Sequence, residues 1–236
     1  MKNKIIIIAE AGGNHNGSIK NAYKLVDIAK KAGADYVKFQ TFKAETLVSK
    51  NAPKAKYQEK NVKKISHFEL IKKLEMSYEM HIKIIKYCKK KKIKFLSSPF
   101  CIDSFDLLRK FNLDFIKIPS GEITNYFLLR EIAKFNKKVI LSTGMSSLNE
   151  IKNALNVLLS NNLPTNKIWL LHCNTEYPTP LKDVNLRAML SLRDKFKVQI
   201  ANGSSGYNGY VNRSYATSTG QGSDGECYLS VLEIAG

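Results

Sequence analysis

Seven short apolar segments, each ending in a polar cluster and each separated from the next by an amphipathic stretch, constrain this chain more than any other feature. They are Ile5–Glu10, Tyr36–Thr41, Lys94–Phe100, Phe115–Glu122, Val139–Gly144, Ile168–Tyr177 and Lys197–Ile200. Between them, helical periodicity predicts helices over Ser18–Lys31, Tyr78–Lys90, Asp103–Phe111, Tyr126–Phe135, Ser147–Leu159 and Asn185–Lys195, with Ser18 placed to cap the first. Strict strand–helix alternation implies a parallel sheet with right-handed crossovers. The expected fold is α/β, a (β/α)8 TIM-type barrel that is incomplete or irregular at the eighth strand. An open doubly wound sheet competes, but no glycine-rich phosphate fingerprint follows the first strand. In a barrel the loops leaving the C-terminal strand ends form one functional face, so polar residues recurring there point to an active site.

The 236 residues suit one such domain. No apolar run is long enough to span a membrane, and Met1–Lys4 leads into a strand without the succession of a signal peptide. Cys88, Cys101, Cys173 and Cys227 lack CxxC spacing and are expected to be reduced thiols in the cytoplasm. The net charge of +18 invites a nucleic-acid reading. Its distribution opposes one: arginine is scarce, lysines spread over helix faces, and Lys89–Lys92 suits a helix C-terminus.

Composition breaks near residue 200. The last 36 residues hold one Arg, no Lys and seven of the 13 glycines. Residues 1–200 are therefore expected to form the barrel and residues 201–236 a divergent Gly/Ser-rich tail, in which 227–234 is the one candidate for a last strand. The change is what truncation, fusion or a frameshift would leave. Phe42–Leu74 exceeds an ordinary barrel loop and reads as a lid or a disordered insertion.

Glu10 leads into Ala11-Gly12-Gly13-Asn14-His15-Asn16-Gly17, which brings hydrogen-bonding groups to the mouth, with Asn14 or Asn16 a candidate helix cap. Lys38 and Gln40 share one side of their strand. Lys38, between Val37 and Phe39, and Lys117, between Ile116 and Ile118, are costly to bury without an anionic partner. With hydroxyls at Ser98, Ser120 and Ser142, they would suit a phosphate and a carboxylate on one ligand. The alternatives are snorkelling of both lysines and Glu122 as a structural counterion of Lys117. His172-Cys173 invites a metal or nucleophile reading, but no partner lies at ligand spacing, and a hydrogen-bonded core histidine is the simpler reading. His67 and His81 read as solvent-facing, and Tyr177 as a substrate contact.

The segments IIAEAGGNHNGS, GADYVKFQTF, FLSSPF, KIPSGEITN, ILSTGM and LLHCNTEYPTP occur in order over about Ile5–Ile200, and with them the chain resembles the sialic acid synthase family, the N-acetylneuraminate and legionaminate synthases. The resemblance implies a β/α barrel condensing phosphoenolpyruvate with an N-acylated hexosamine such as N-acetylmannosamine, with a divalent metal, manganese or magnesium, and a homodimer as the family assembly. Carried over by motif, Glu10, Lys38 and Lys117 are expected as catalytic residues. Gln40, Ser98, Phe100, Ser120, Ser142, Thr175 and Tyr177 are expected to bind substrate. Thr175 stands where some relatives have Asn. The family's Ser-Asp-His and Lys-His-Phe segments, expected to hold the metal, find no counterpart after Ile200, nor does its antifreeze-like domain. The chain is therefore expected to be an impaired synthase, or a non-catalytic relic that keeps the anion pocket.

Overall fold

In a computed structural model of the chain, residues 6–50, 66–174, 183–203 and 232–234 are described. Strands β1 (Ile8–Gly12), β2 (Tyr36–Thr41) and β3 (Lys94–Pro99) form one parallel sheet. Strands β4 (Phe115–Ile118), β5 (Lys138–Ser142), β6 (Ile168–His172) and β7 (Gln199–Gly203) are also parallel. A short β8 (Leu232–Ile234) joins them antiparallel to β7. β3 and β4 lie side by side without a hydrogen-bonded ladder, and among the described residues no ladder joins β8 to β1. The barrel is thus unclosed and irregular at its eighth strand. That strand runs against the expected direction because it returns along β7.

Helices α1 (Ile19–Lys31), α4 (Tyr78–Lys91), α5 (Ile102–Leu108), α6 (Tyr126–Lys134), α7 (Leu148–Ser160) and α8 (Arg187–Phe196) follow the predicted periodicity. Each starts where its sequence allows. Ser18 accepts from the Asn21 amide, so neither Asn14 nor Asn16 caps α1, and Asn16 instead takes a left-handed φ of 49° in the preceding turn. Ser147 and Glu150 close a reciprocal capping box on α7. Lys89, Lys90 and Lys91 occupy the last turn of α4, where cations complement the helix dipole.

Side chains alternate across a strand, so each strand feeds two cores. Ala9, Val37, Phe39, Phe95, Ile116, Ile118, Val139, Leu141, Ile168 and Leu170 pack outward against the helices. Ile8, Tyr36, Leu96, Phe115, Ile140, Trp169 and Leu171 pack inward against one another. Continuing each inward series by two residues reaches Glu10, Lys38, Ser98, Lys117, Ser142 and Cys173. The apolar inner layer is therefore the floor on which those polar side chains stand.

The outer face carries one buried polar network at the same end. The Ser77 carbonyl can only accept, so His81 Nδ1 donates to it at 2.8 Å. Neutral His81 must then accept at Nε2 from Thr41 Oγ1 at 2.9 Å, and Thr41 accepts from Ser97 Oγ at 2.7 Å. His81 is fully buried, not solvent-facing, because its helix face meets the sheet. His67 is half-buried on α3 (His67–Lys73), with a buried Nδ1.

The long segment after β2 begins and ends in helix: α2 (Ala44–Leu47) and α3. Glu75 accepts from the Ala44 amide at 2.6 Å, and Lys72 bridges Glu45 at 2.6 Å and Glu75 at 3.2 Å. The intervening 51–65, at the centre of the expected lid, lies outside the described residues.

Candidate active site

Glu10 and Lys38 are register partners on β1 and β2, which places both side chains on the inner face. Lys38 Nζ lies 2.5 Å from Glu10 Oε2 and donates to Ser98 Oγ at 3.4 Å. Gln40 and Ser98 are partners one step further along β2 and β3. On β4, Lys117 Nζ donates to the Ile118 carbonyl at 3.0 Å and contacts Ser142 Oγ on β5. Lys38 and Lys117 are only 8% and 6% exposed, which rules out snorkelling for both.

Lys117 feels its surroundings strongly. Burial, followed by the charge of Lys38, lowers it from 10.5 to about 7, while Cys173 and Glu10 pull the other way. Glu10, Lys38, Lys117 and Cys173 all continue the inner series of their strands, and the first two and Cys173 bear on the charge of Lys117. Glu122 takes no part: it accepts from Asn125 Nδ2 at 2.7 Å and is not the counterion of Lys117.

Ser120 ties three strand ends together. Its Oγ accepts from the Gly144 amide beyond β5 at 2.9 Å and lies 3.4 Å from Cys173 Sγ beyond β6. Glu10 Oε1 is buried without a hydrogen-bond partner among the described residues. A Cβ placed on Gly12 would meet that oxygen at 3.5 Å and Gln40 Nε2 at 3.9 Å, so an acceptor and a donor flank the same bare backbone. Phe100, half-buried, packs edge-on against Phe42 at 6.1 Å. Thr175 and Tyr177 lie outside the described residues.

Cys173 is the site-facing residue of its pair. The alternation Trp169, Leu171, Cys173 carries the thiol inward and turns His172 toward the helices. There His172 lines an open cavity of about 550 Å³ with Thr143, Arg187 and Ser191, a cavity whose wall Cys173 also reaches. It has no hydrogen-bond partner among the described residues, contrary to the core-histidine reading. The period of two held this signal for Cys173. His15, which the sequence reading brought to the mouth, is instead fully buried against outward-packing Phe39, and its Nδ1 accepts from the Gly17 amide at 3.0 Å, which fixes the turn after Glu10. Gly17 itself has φ +74°, and its Cα faces the Lys73 carbonyl so closely that a Cβ would lie 2.6 Å away.

A divalent cation needs several converging donors. Among the described residues no three His, Cys, Asp or Glu side chains converge on one point, and Glu10 already faces Lys38 with one oxygen. The described residues therefore offer no ready-made cluster of this kind for the manganese or magnesium that the resemblance implies.

Fold and site together define a parallel β/α protein with two buried lysines, one carboxylate and several hydroxyls at its C-terminal mouth. Comparison with known proteins narrows that class: residues 25–221 match the NeuB family, and the chain belongs to it. It is 52% identical over 198 residues to an N,N'-diacetyllegionaminic acid synthase of Campylobacter jejuni, covering 84% of this chain and 59% of that protein. A synthase of the same name from Legionella pneumophila is 43% identical, with 82% and 55% covered. A crystal structure of N-acetylneuraminic acid synthetase from Leptospira borgpetersenii, in complex with citrate, superposes with a TM-score of 0.74 at 31% identity, covering 85% of this chain and 65% of that one. The chain thus spans less than two thirds of the length of these relatives. Among the described residues no helix is long and apolar enough to cross a membrane.

Proposed function

We propose that this chain carries the donor pocket of a sugar-acid synthase, binding phosphoenolpyruvate and condensing it with an N-acylated hexosamine. The observation that carries the reading is the pair of buried lysines on one inner face, Lys38 against Glu10 and Lys117 against the Ile118 carbonyl and Ser142, with Glu10 the one carboxylate that bears on both. Such a cradle is short of negative charge, and a three-carbon ligand with a carboxylate and a phosphate would supply it. Ser98, Ser120 and Ser142 stand beside the lysines to orient the anionic oxygens. Site roles for Phe100, Thr175 and Tyr177 on the sugar side rest on the family motif.

The chemistry follows from where charge develops. The enol carbon of the donor attacks the sugar aldehyde, forming a C–C bond, and the aldehyde oxygen takes a proton. Water then adds to the resulting C2 cation, and phosphate departs. Lysine and serine donors held in a dry pocket need no reorganisation as charge shifts on the donor, which favours the transition state. Glu10 Oε1, buried and unpartnered, is suited to accept a sugar hydroxyl, and Gln40 Nε2 beside it to donate. The identity to legionaminic acid synthases supports an acceptor of the di-N-acetylated kind. Residues 1–200 would form the synthase barrel and 201–236 a divergent tail, of which 201–203 complete β7 and 232–234 form β8.

Titration calorimetry with phosphoenolpyruvate tests the reading. Binding should weaken at least about tenfold in Lys117→Met, since a lost charge-assisted hydrogen bond is worth about 1.5–3 kcal/mol; unchanged affinity would remove the pocket from the mechanism. A second reading is an anion-binding relic without turnover, in which the Lys38, Lys117 and Glu10 cradle persists without the condensation. Binding without phosphate release, when a hexosamine and manganese are supplied, would select it.

A further inference from the structure

Lys38 and Lys117 stand on the same inner face but are not partnered alike. Lys38 Nζ meets a carboxylate at 2.5 Å. Among the described residues, Lys117 Nζ meets the neutral Ile118 carbonyl, at 3.0 Å, and the neutral Ser142 hydroxyl. The titratable groups that bear on it are Glu10 from β1, Lys38 from β2 and the Cys173 thiol from the end of β6. From β3 and β5 come only the hydroxyls of Ser98 and Ser142. Glu10 is already engaged, so a second ammonium charge in this pocket has no counter-charge among the described residues. An uncompensated buried charge is costly, and a buried lysine answers by shedding its proton.

We infer that Lys117 is a neutral amine in the empty pocket and takes a proton from solvent when a small dianion enters, so that anion binding and proton uptake are one event. The hydrogen bonds fit this state. A neutral amine has two N–H donors, enough for Ile118 and Ser142, and one lone pair. The incoming proton bonds to that lone pair and creates the third N–H, the one a ligand oxygen needs; no other bond changes. The depressed value near 7, caused first by burial and then by Lys38, agrees with the geometry. The inference deepens the donor-pocket reading and takes its ligand class from it.

The test uses the full chain and two probes, phosphoenolpyruvate and inorganic sulfate, whose charge is constant over the range used. Calorimetry at pH 8 in buffers of different ionisation enthalpy should report uptake of about one proton per bound anion, and affinity should fall about tenfold per pH unit above 8. In the free chain, the 13Cε lysine signal missing from Lys117→Met should titrate near neutrality. Binding of either probe without proton uptake, with that signal titrating in the ordinary lysine range, would overturn the inference and leave the donor pocket standing. Sulfate binding with uptake, but no phosphoenolpyruvate binding, would uphold the inference and sink the donor reading. If neither anion binds, both fall.

Discussion

Lys38 and Glu10 face each other across β2 and β1 as register partners, their ammonium and carboxylate 2.5 Å apart with both side chains largely buried. Each desolvates the other's charge, and neither has a second charged partner among the described residues at that distance.

Removing both members should therefore cost less than the two single removals added together. Glu10→Gln leaves Lys38 buried and uncompensated, at about 3–5 kcal/mol. The double variant Glu10→Gln/Lys38→Met should lose clearly less than the sum of the two single changes. Urea unfolding of the four proteins checks this; additive losses would show that the pair is not coupled.

Lys117 gives the fold a pH dependence of defined sign. The unfolded lysine ionises near 10.5 and the folded one near 7, so between those values the unfolded chain binds more protons. Stability then rises with pH across this window, and the burial penalty is present in full below about pH 7. Lys117→Met should be more stable than the parent at pH 6.5, with the difference shrinking toward pH 10. A constant difference across that range would contradict the assignment.

His15 acts at the other end of the scale. Burial, and then the neighbouring His81, hold it at about 4 against 6.5 when unfolded. The unfolded chain is thus the first to bind the proton as pH falls, and stability declines between about 6.5 and 4. His15→Asn keeps an acceptor for the Gly17 amide and removes the titration, so its acid limb should be shallower in thermal melts at pH 4–6.5.

Two glycines near the mouth should respond oppositely. Gly17→Ala combines a φ of +74° with a Cβ 2.6 Å from the Lys73 carbonyl, and should cost about 1–3 kcal/mol. Gly121→Ala meets nothing within 4 Å at an ordinary φ and should be close to neutral. Chemical denaturation separates them.

How far the sequence could be read shows best at individual positions. Tyr36, Lys38 and Gln40 declare their common side by spacing alone, and so do Trp169, Leu171 and Cys173, although the adjacent histidine drew attention to the wrong member of that pair. His81 reads as solvent-facing because helical spacing identifies a face but not what covers it; the sheet face at Thr41 and Ser97 does. Glu122 lies five residues from Lys117 along the chain, yet a tight turn commits it to Asn125.

By itself the sequence determined the alternation of parallel strands and helices, because a period of two and a period near 3.6 are properties of the local backbone. It also determined that two lysines stand among apolar neighbours at strand ends. Only the tertiary structure decided that Lys38 takes Glu10 as its partner while Lys117 meets neutral groups, that β8 runs antiparallel to β7, and that no ladder joins β3 to β4. Partnership and charge balance depend on which strands become neighbours, and residues distant along the chain carry no local mark of that choice.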